Sequence, residues 1–235
     1  MKRTLIVILF PAYILSRTTS GLIYAESLFI DPHIPHGETI TYTSFLDGKP
    51  STVVEKVAIR EEGEKALYEI TSCSKRLDRI ITLDKKTMAI VSVHTVRKYQ
   101  EVTLDSKLTV INEKPHFEKG EVKLADFAVM NYLFRGFPFG NLEKLKIGFY
   151  GEERKKSFLF SVKYKQKETI TVNQRAFACH KLEFGLDGLL GTFLPEINAW
   201  YAAEAPHYLV RYEGPEGPPG SPRRVIELVD YKIPD

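Results

Sequence analysis

Residues 197–232 read INAWYAAEAPHYLVRYEGPEGPPGSPRRVIELVDYK, three strand-like runs separated by turn-forming residues. The first run contains Trp200, the only tryptophan of the chain, and Tyr212 lies in the second. Short runs of aromatic and β-branched residues between Pro/Gly clusters are typical of consecutive antiparallel strands. The segment therefore predicts a series of hairpins, and it indicates no particular reaction.

The aromatic residues of this segment carry two alternative interpretations. Trp200 and Tyr212 fall on neighbouring predicted strands, so a cross-strand aromatic pair is expected. Such a pair would help to fix the register and would contribute about 0.5–1 kcal/mol beyond area burial. A contact between Trp200 and a ligand is the alternative.

The same two-residue period runs upstream from Gly37. Ile40, Tyr42 and Leu46 share one face of a predicted strand, and turn-forming residues follow at 47–50. Further strands recur about every ten residues, which is typical of an antiparallel meander. Runs of strands without intervening helices predict a mainly β domain.

The pattern changes near Asp126, where a short helix is expected. Asp126 is a suitable N-cap, the helix would run through Arg135, and Gly136 is well placed to end it. Its residues are apolar nearly all round, so the helix must be covered, and in a β-rich domain we expect it against or inside the concave face of a curved sheet. The helix either completes the core or closes a lipid-sized cavity, and docking to a membrane or partner is a third possibility.

A second apolar segment, residues 185–195, is expected to pack inward or onto a ligand. The glycines that punctuate it are not followed by the Lys-Ser/Thr pair of a phosphate-binding loop. Together the two segments give the candidate residues for binding an apolar ligand: Phe127, Met130, Leu133, Phe134, Phe137, Phe139, Leu189, Leu190, Phe193 and Trp200.

Residues 1–25 have the pattern of a cleaved secretory signal. Lys2 and Arg3 precede an apolar run at 5–15, and Ala25 is a plausible cleavage point. The run is short for a bilayer span, which takes about 20 residues. We therefore expect residues 26–235 to form a single β-rich domain in the periplasm, without an integral membrane segment. Because no cysteine lies near residues 1–25, we do not expect a lipoprotein.

The charge of the chain argues against a nucleic-acid partner. The sequence has 33 Lys+Arg and 30 Asp+Glu, giving a formal charge of +3. Without Lys2, Arg3 and Arg17, which belong to the predicted signal, 30 basic residues face 30 acidic ones. Binding to phosphates needs a basic surplus that this chain lacks.

The sequence contains no nucleophile-elbow, zinc-protease or Cys-x-x-Cys pattern. His33 and His36 lie near Asp31 and Glu38, but in a proline-broken segment just after the predicted cleavage point, so we predict no metal site there. We therefore expect neither an enzyme nor a cofactor. A hydrolase of envelope polymers is the third-ranked function.

Cys73 and Cys179 are the only cysteines. A disulfide between them would close a loop of about 105 residues and stabilise the fold by roughly 4–5 kcal/mol. Two separate thiols on different strands are the alternative, and strand parity does not decide between them.

The order of features in the C-terminal half resembles an exported bacterial family, domain of unknown function 3108. A strand at 177–184, FACHKLEF, is followed by an apolar loop, by AWYA at 199–202, by PHYLVRY at 206–212 and by VIEL at 225–228. Members also begin with a Gly-Glu-x-hydrophobic-x-Tyr strand, which GETITY at 37–42 matches.

This resemblance spans most of residues 37–231 and implies both a fold and a function. The family is similar to the lipoprotein-carrier superfamily, whose strongly curved antiparallel sheet forms a half-open barrel with one or two short helices on the concave side. By that analogy we expect a soluble periplasmic protein that binds a lipid, an acyl chain or a lipidated peptide. An interaction or assembly protein of the cell envelope, without a small ligand, is the alternative.

Overall fold

The computed structural model describes residues 28–98, 103–109, 121–124, 129–151, 156–186, 197–216 and 221–234. Its strands are β1 (Thr39–Leu46), β2 (Lys49–Glu62), β3 (Lys65–Ser74), β4 (Leu77–Asp84), β5 (Ile90–Lys98), β6 (Thr103–Thr109), β7 (Glu121–Leu124), β8 (Lys144–Gly151), β9 (Lys156–Val172), β10 (Arg175–Leu186), β11 (Ile197–Ala202), β12 (Leu209–Pro215) and β13 (Arg223–Lys232). The helix α1 (Met130–Leu133) is followed by a 3₁₀ turn at Phe134–Gly136.

One sheet contains all thirteen of these strands, in the order β6-β5-β4-β3-β2-β1-β13-β12-β11-β10-β9-β8-β7. Every neighbouring pair is antiparallel except β7 and β8, which are parallel. Within the described residues the sheet is open, with β6 and β7 as its two ends. The expectation of a mainly β fold with a meander of antiparallel strands is confirmed.

The sheet is strongly curved, because α1 and the adjoining turn touch distant strands at once. The Tyr132 hydroxyl donates to Glu55 Oε2 on β2 at 2.8 Å, while the Phe134 ring packs edge-on against Phe184 of β10 at 5.0 Å. Five strand steps separate β2 from β10, which in a flat sheet would be about 24 Å. The sheet therefore wraps around α1, and the face that α1 contacts is the concave face.

Left-handed turn residues explain two of the hairpins. Asp47 and Gly48 have φ of 48° and 75°, and Asn173 and Gln174 have φ of 48° and 63°. Two consecutive residues with positive φ are the mark of the type I′ turn, whose twist matches that of the flanking strands. The turn expected at residues 47–50 is confirmed, with Asp47 and Gly48 as its central residues.

Within the described residues, the predicted helix is divided into α1 and the 3₁₀ turn that follows it. The helix starts at Met130, and Asp126, its predicted cap, lies outside the described residues. Gly136 is the last residue of the 3₁₀ turn, so it ends the helical stretch as expected, without a positive φ. Gly136 is there because Ile30 comes too close: a Cβ would overlap the Ile30 carbonyl oxygen, and the Ile30 N–H donates to the Gly136 carbonyl at 2.9 Å.

The predicted pair of Trp200 and Tyr212 was also wrong. In the β11–β12 register, Ala199 lies opposite Tyr212 and Trp200 lies opposite Arg211. An offset of one residue places two side chains on opposite faces of a sheet. Tyr212 consequently faces the concave side, and Trp200 faces outward.

Candidate functional site

The deepest part of the concave face is filled by the protein itself. Phe134 is fully buried, and its ring lies 5.6 Å from Phe29, 5.0 Å from Phe184 and 6.5 Å from Tyr201. The Tyr201 hydroxyl donates to the Met130 carbonyl at 3.1 Å, which ties α1 to β11. This apolar layer is core rather than an open cavity.

The structure describes six of the ten residues predicted to bind an apolar ligand. Met130, Leu133, Phe134 and Phe137 belong to the buried core, and Phe139 packs against it. Trp200 lies on the outer face, where its Nε1–H donates to Glu168 at 2.6 Å and Lys181 lies 5.2 Å from its ring. The other four, Phe127, Leu189, Leu190 and Phe193, lie outside the described residues.

A buried ion pair fixes the turn after α1. Arg135 and Glu38 are 1% and 0% exposed and form two hydrogen bonds, of 2.7 and 2.8 Å. Arg135 Nε also donates to the Pro206 carbonyl, and the Tyr231 hydroxyl donates to Glu38. Burial alone would lower the pKa of Arg135, but the hydrogen bonds and charge of Glu38 outweigh it and raise that pKa. With these partners, the pair is an anchor for the fold.

A row of polar side chains crosses the concave face next to this layer. Glu55, Ser72, Arg79 and Thr95 lie directly opposite one another on β2, β3, β4 and β5. All four are buried, and Arg79 Nε donates to Thr95 Oγ1 at 3.1 Å. Burial raises the pKa of Glu55, although hydrogen bonds from Tyr132 and Ser72 and two nearby arginines oppose the rise.

Beyond this row lies what we call the concave patch, formed by Ser44, Val53, Tyr212, Arg224 and Ile226. The register places these residues on the adjacent strands β2, β1, β13 and β12 with their side chains on the concave side. Its apolar members Val53, Tyr212 and Ile226 keep 8–9% exposure, whereas the side chains of the filled layer keep almost none. The patch is therefore the less completely filled part of the central concave face.

Arg224 is the charged member of the concave patch. Its Nε donates to Ser44 Oγ at 2.8 Å. Burial lowers the pKa of Arg224, the charge of Glu216 opposes the change, and the nearby charge of Arg79 adds to it. Its neighbour Arg223 is exposed and pairs with Glu213 on the outer face.

Part of this polar row could be found from the sequence, because two of its charged residues lie at inward positions of strands whose neighbouring inward residues are apolar. Glu55 has the same strand parity as Val53 and Val57, and Arg79 has the same parity as Leu77 and Ile81. A charged residue at an inward position is therefore visible in the period-two pattern. Such a residue must be paired or functional, because burying a lone charge is costly.

Two histidines gather beside Phe139 at the edge of the filled layer. The His180 ring stacks on Phe139 at 4.3 Å and lies 5.8 Å from the His207 ring. His180 Nδ1 lies 3.1 Å from the Tyr164 hydroxyl, and His207 Nδ1 lies 2.9 Å from the Ala202 carbonyl oxygen. Burial is the main cause of the lowered pKa of each histidine. Both side chains are therefore held as neutral members of an aromatic cluster.

The residues around His33 are engaged in separate contacts. His36 Nδ1 accepts a hydrogen bond from the Ile59 N–H at 3.0 Å, and Asp31 accepts one from Tyr68 and pairs with Lys85. Within the described ranges no group of three metal-ligating side chains is found.

Cys73 and Cys179 are both free cysteines, so the structure shows the alternative of two separate thiols. Cys73 is exposed on β3, and Cys179 is fully buried on β10. Burial raises the pKa of the Cys179 thiol to about 12, with a smaller effect from the charge of Glu168. A thiol that stays protonated is a poor nucleophile, so Cys179 is a packing residue.

Comparison with known proteins bears on the fold. No family model and no curated protein matches this sequence. A solved β-barrel-like protein of DUF1849 from Brucella abortus is 10% identical, covers 85% of this chain and 98% of its own, and gives a TM-score of 0.51. A Bacteroides fragilis protein described as exported, with a YmcC-like fold, is 14% identical, covers 87% of this chain and 99% of its own, and gives a TM-score of 0.33. A Parabacteroides distasonis protein described as a lipoprotein is 11% identical, covers 87% of this chain and 98% of its own, and gives a TM-score of 0.36.

The first of these similarities shows a shared β-barrel-like fold, and at 10% identity it shows the fold alone. The resemblance to domain of unknown function 3108 stays a prediction, because no family model matches. Its structural consequence, an open curved antiparallel sheet with a short helix on the concave side, is confirmed. In the part of the chain that is described, no helix is long and apolar enough to cross a membrane.

Proposed function

We propose that this chain is a periplasmic binding protein that holds an apolar or amphipathic ligand, such as a lipid or acyl chain, on its concave patch. The observation that carries the proposal is the contrast in filling along the concave face. The Phe29, Phe134, Phe184 and Tyr201 side chains keep only 0–3% exposure, whereas Val53, Tyr212 and Ile226 keep 8–9% next to buried polar groups. Mostly apolar walls with a few converging polar groups are typical of ligand sites.

The proposed ligand lies on the concave patch and not against α1. A ligand lying against Phe134 would have to displace rings that already pack edge-on at 5.0 and 5.6 Å. Protein cores are packed as densely as organic crystals, so such a displacement would be costly. In our proposal α1 supports the site from below, through the hydrogen bond from Tyr132 to Glu55.

The proposed role includes no catalytic step. Glu55 and Arg79 each contact another side chain of the protein: Tyr132 donates to Glu55, and Arg79 donates to Thr95. These contacts give both groups a role in shaping the wall of the site. Export rests on the pattern of residues 1–25, which predicts a secretory signal.

Binding of the neutral fluorescent probe N-phenylnaphthylamine tests the proposal. The wild-type protein should enhance its fluorescence in a saturable way, and Val53→Thr should weaken binding roughly ten-fold by placing a hydroxyl against the ligand. Val229→Thr makes the same change on an exposed site of β13, where Val229 is 41% exposed. That control should bind as the wild type does.

Two results would count against this function. One is a wild-type protein that binds no neutral apolar probe, which would favour the alternative of an envelope interaction protein. The other is an equal loss of binding in Val53→Thr and Val229→Thr, which would mean that the concave patch is not the site. Equal melting temperatures of the two variants would show that both retain the fold.

A further inference from the structure

Arg224 is partly exposed and makes one side-chain hydrogen bond with the described residues. Its Nε donates to Ser44, but none of the residues described in the structure accepts a hydrogen bond from its two terminal amino groups, and none of their carboxylates lies within ion-pair distance. Buried charges are normally paired and hydrogen-bonded. The Arg135 guanidinium, in contrast, donates hydrogen bonds to both Glu38 and Pro206.

Among the described residues, both arginines and carboxylates lie on the concave side of the strands that flank Arg224. Arg79 lies in the polar row, and Arg97 lies one step further out on β5, on the same face as Thr95 and partly exposed. The carboxylates near Arg224 are Glu55 and Glu216. Tyr132 already donates to Glu55, and Glu216 lies beyond ion-pair distance of Arg224.

The orientation of Arg224 suits an incoming anion. The bond from Nε to Ser44 holds one edge of the planar group, which leaves the terminal amino groups available at the partly exposed end of the concave patch. A guanidinium binds carboxylate or phosphate through two parallel hydrogen bonds. Partial burial strengthens such bonds, because water screens them less.

We propose that Arg224, positioned by Ser44, binds the anionic oxygen group of an amphiphile, a phosphate or carboxylate, whose apolar chain lies against Val53, Tyr212 and Ile226. This assignment rests on the proposed binding function and adds the chemical class of the ligand: an anionic amphiphile. Gly214 lies directly opposite Arg224 on β12, and the Tyr212 ring occupies the space above it, since a Cβ there would lie 2.5 Å from the Tyr212 hydroxyl oxygen.

Competition against N-phenylnaphthylamine separates the contribution of the anionic group from that of the chain. The competitors are decyl phosphate, decanoate, decanol and inorganic phosphate, below any micelle-forming concentration. The wild type should prefer decyl phosphate or decanoate over decanol by at least about ten-fold. Arg224→Gln should abolish that preference without weakening decanol binding, and Arg224→Lys should keep part of it.

Arg223→Gln is the matched control, because it removes the same charge from the adjacent position on the outer face, where the Arg223 side chain is 72% exposed. It should keep the wild-type preference, and equal melting temperatures should show that both glutamine variants fold. A preference for the anionic competitors that survives in Arg224→Gln, or that is missing from the wild type, would overturn the assignment.

The same competition experiment distinguishes a free anion from an anionic amphiphile. It also tests this inference separately from the proposed function. If inorganic phosphate displaces the probe as strongly as decyl phosphate does, and if this displacement requires Arg224, the site binds free anions. That result would overturn the amphiphile as the ligand. Decanol and N-phenylnaphthylamine that bind while the anionic preference is missing would overturn this inference alone. Failure of every apolar compound to bind the wild type would overturn the proposed function as well.

Discussion

At the scale of single residues, two arginines on the concave side have opposite environments. Arg135 is enclosed with Glu38 and serves the fold, whereas Arg224 is held at one edge by Ser44 and has no carboxylate partner among the described residues. The cost of burying a charge explains the role of Arg135, which is fully buried and needs its carboxylate partner, whereas Arg224 is partly exposed and can bind an incoming anion.

Breaking the Arg135–Glu38 pair should strongly destabilise the protein. Arg135→Met would leave the Glu38 carboxylate buried without a cation, so we expect the free energy of unfolding to fall by about 3–5 kcal/mol. Chemical denaturation measures this change. Adding Glu38→Gln to Arg135→Met should recover part of the loss, because the remaining buried charge is removed.

The surface pair of Arg60 and Glu69 provides the control for this prediction. Its atoms are equally close, at 2.7 Å, but the Arg60 side chain is 60% exposed. Arg60→Met should therefore cost at most about 1 kcal/mol. Similar losses for Arg60→Met and Arg135→Met would mean that burial of the Arg135 pair does not matter to stability.

The histidine cluster predicts a loss of stability on acidification. Burial lowers the pKa of His180 and His207, so below about pH 6.5 the unfolded chain binds protons that the folded protein does not. The free energy of unfolding should therefore fall as the pH drops from the ordinary histidine pKa towards the lowered values. Denaturation between pH 7 and pH 5 measures the slope.

His207→Asn should make this slope shallower. His207 has a φ of 51°, a left-handed conformation that asparagine tolerates, so the backbone can be kept. His33→Asn is the matched control, since His33 has a φ of 57° and a highly exposed side chain. An unchanged slope in His207→Asn, or an equal change in both variants, would contradict this account of the buried histidine.

At the scale of elements, the hairpins are set by local sequence. Gln174 has a φ of 63°, which costs a residue with a Cβ roughly 1 kcal/mol, so Gln174→Gly should stabilise the protein by about that amount. Gly48→Ala should destabilise the protein, because alanine disfavours the positive φ of this position. Nothing lies within 4 Å of the added Cβ, so no steric clash would contribute to the loss. Thermal denaturation of the two variants checks both signs, and a destabilised Gln174→Gly would show that the turn conformation is not strained.

The elements also show which features the sequence was able to predict. The strands and type I′ turns follow from a two-residue period and a few turn residues, and these are local. The helix bounds are not local: α1 has no side-chain cap, and its end is set by contacts of Arg135 and Gly136 with Glu38 and Ile30, about a hundred residues away. Predicting the candidate site also requires the pairing of distant strands, because the β1–β13 register decides that Arg224 rather than Arg223 faces inward.

At the scale of the whole molecule, the first strand of the sheet lies beside the last. The register of β1 with β13 brings both ends of the strand series together, so the concave patch combines residues 44 and 53 with residues 212–226.

Native mass spectrometry tests the binding function proposed for the concave patch most directly. The full chain would be expressed with its own residues 1–25, isolated from the periplasm without detergent, and measured before and after organic extraction. We expect a species heavier than the processed chain by the mass of an amphiphile with a phosphate or carboxylate group, and we expect extraction to remove that mass. A single unliganded mass, from a protein that also fails to bind N-phenylnaphthylamine, would contradict the account.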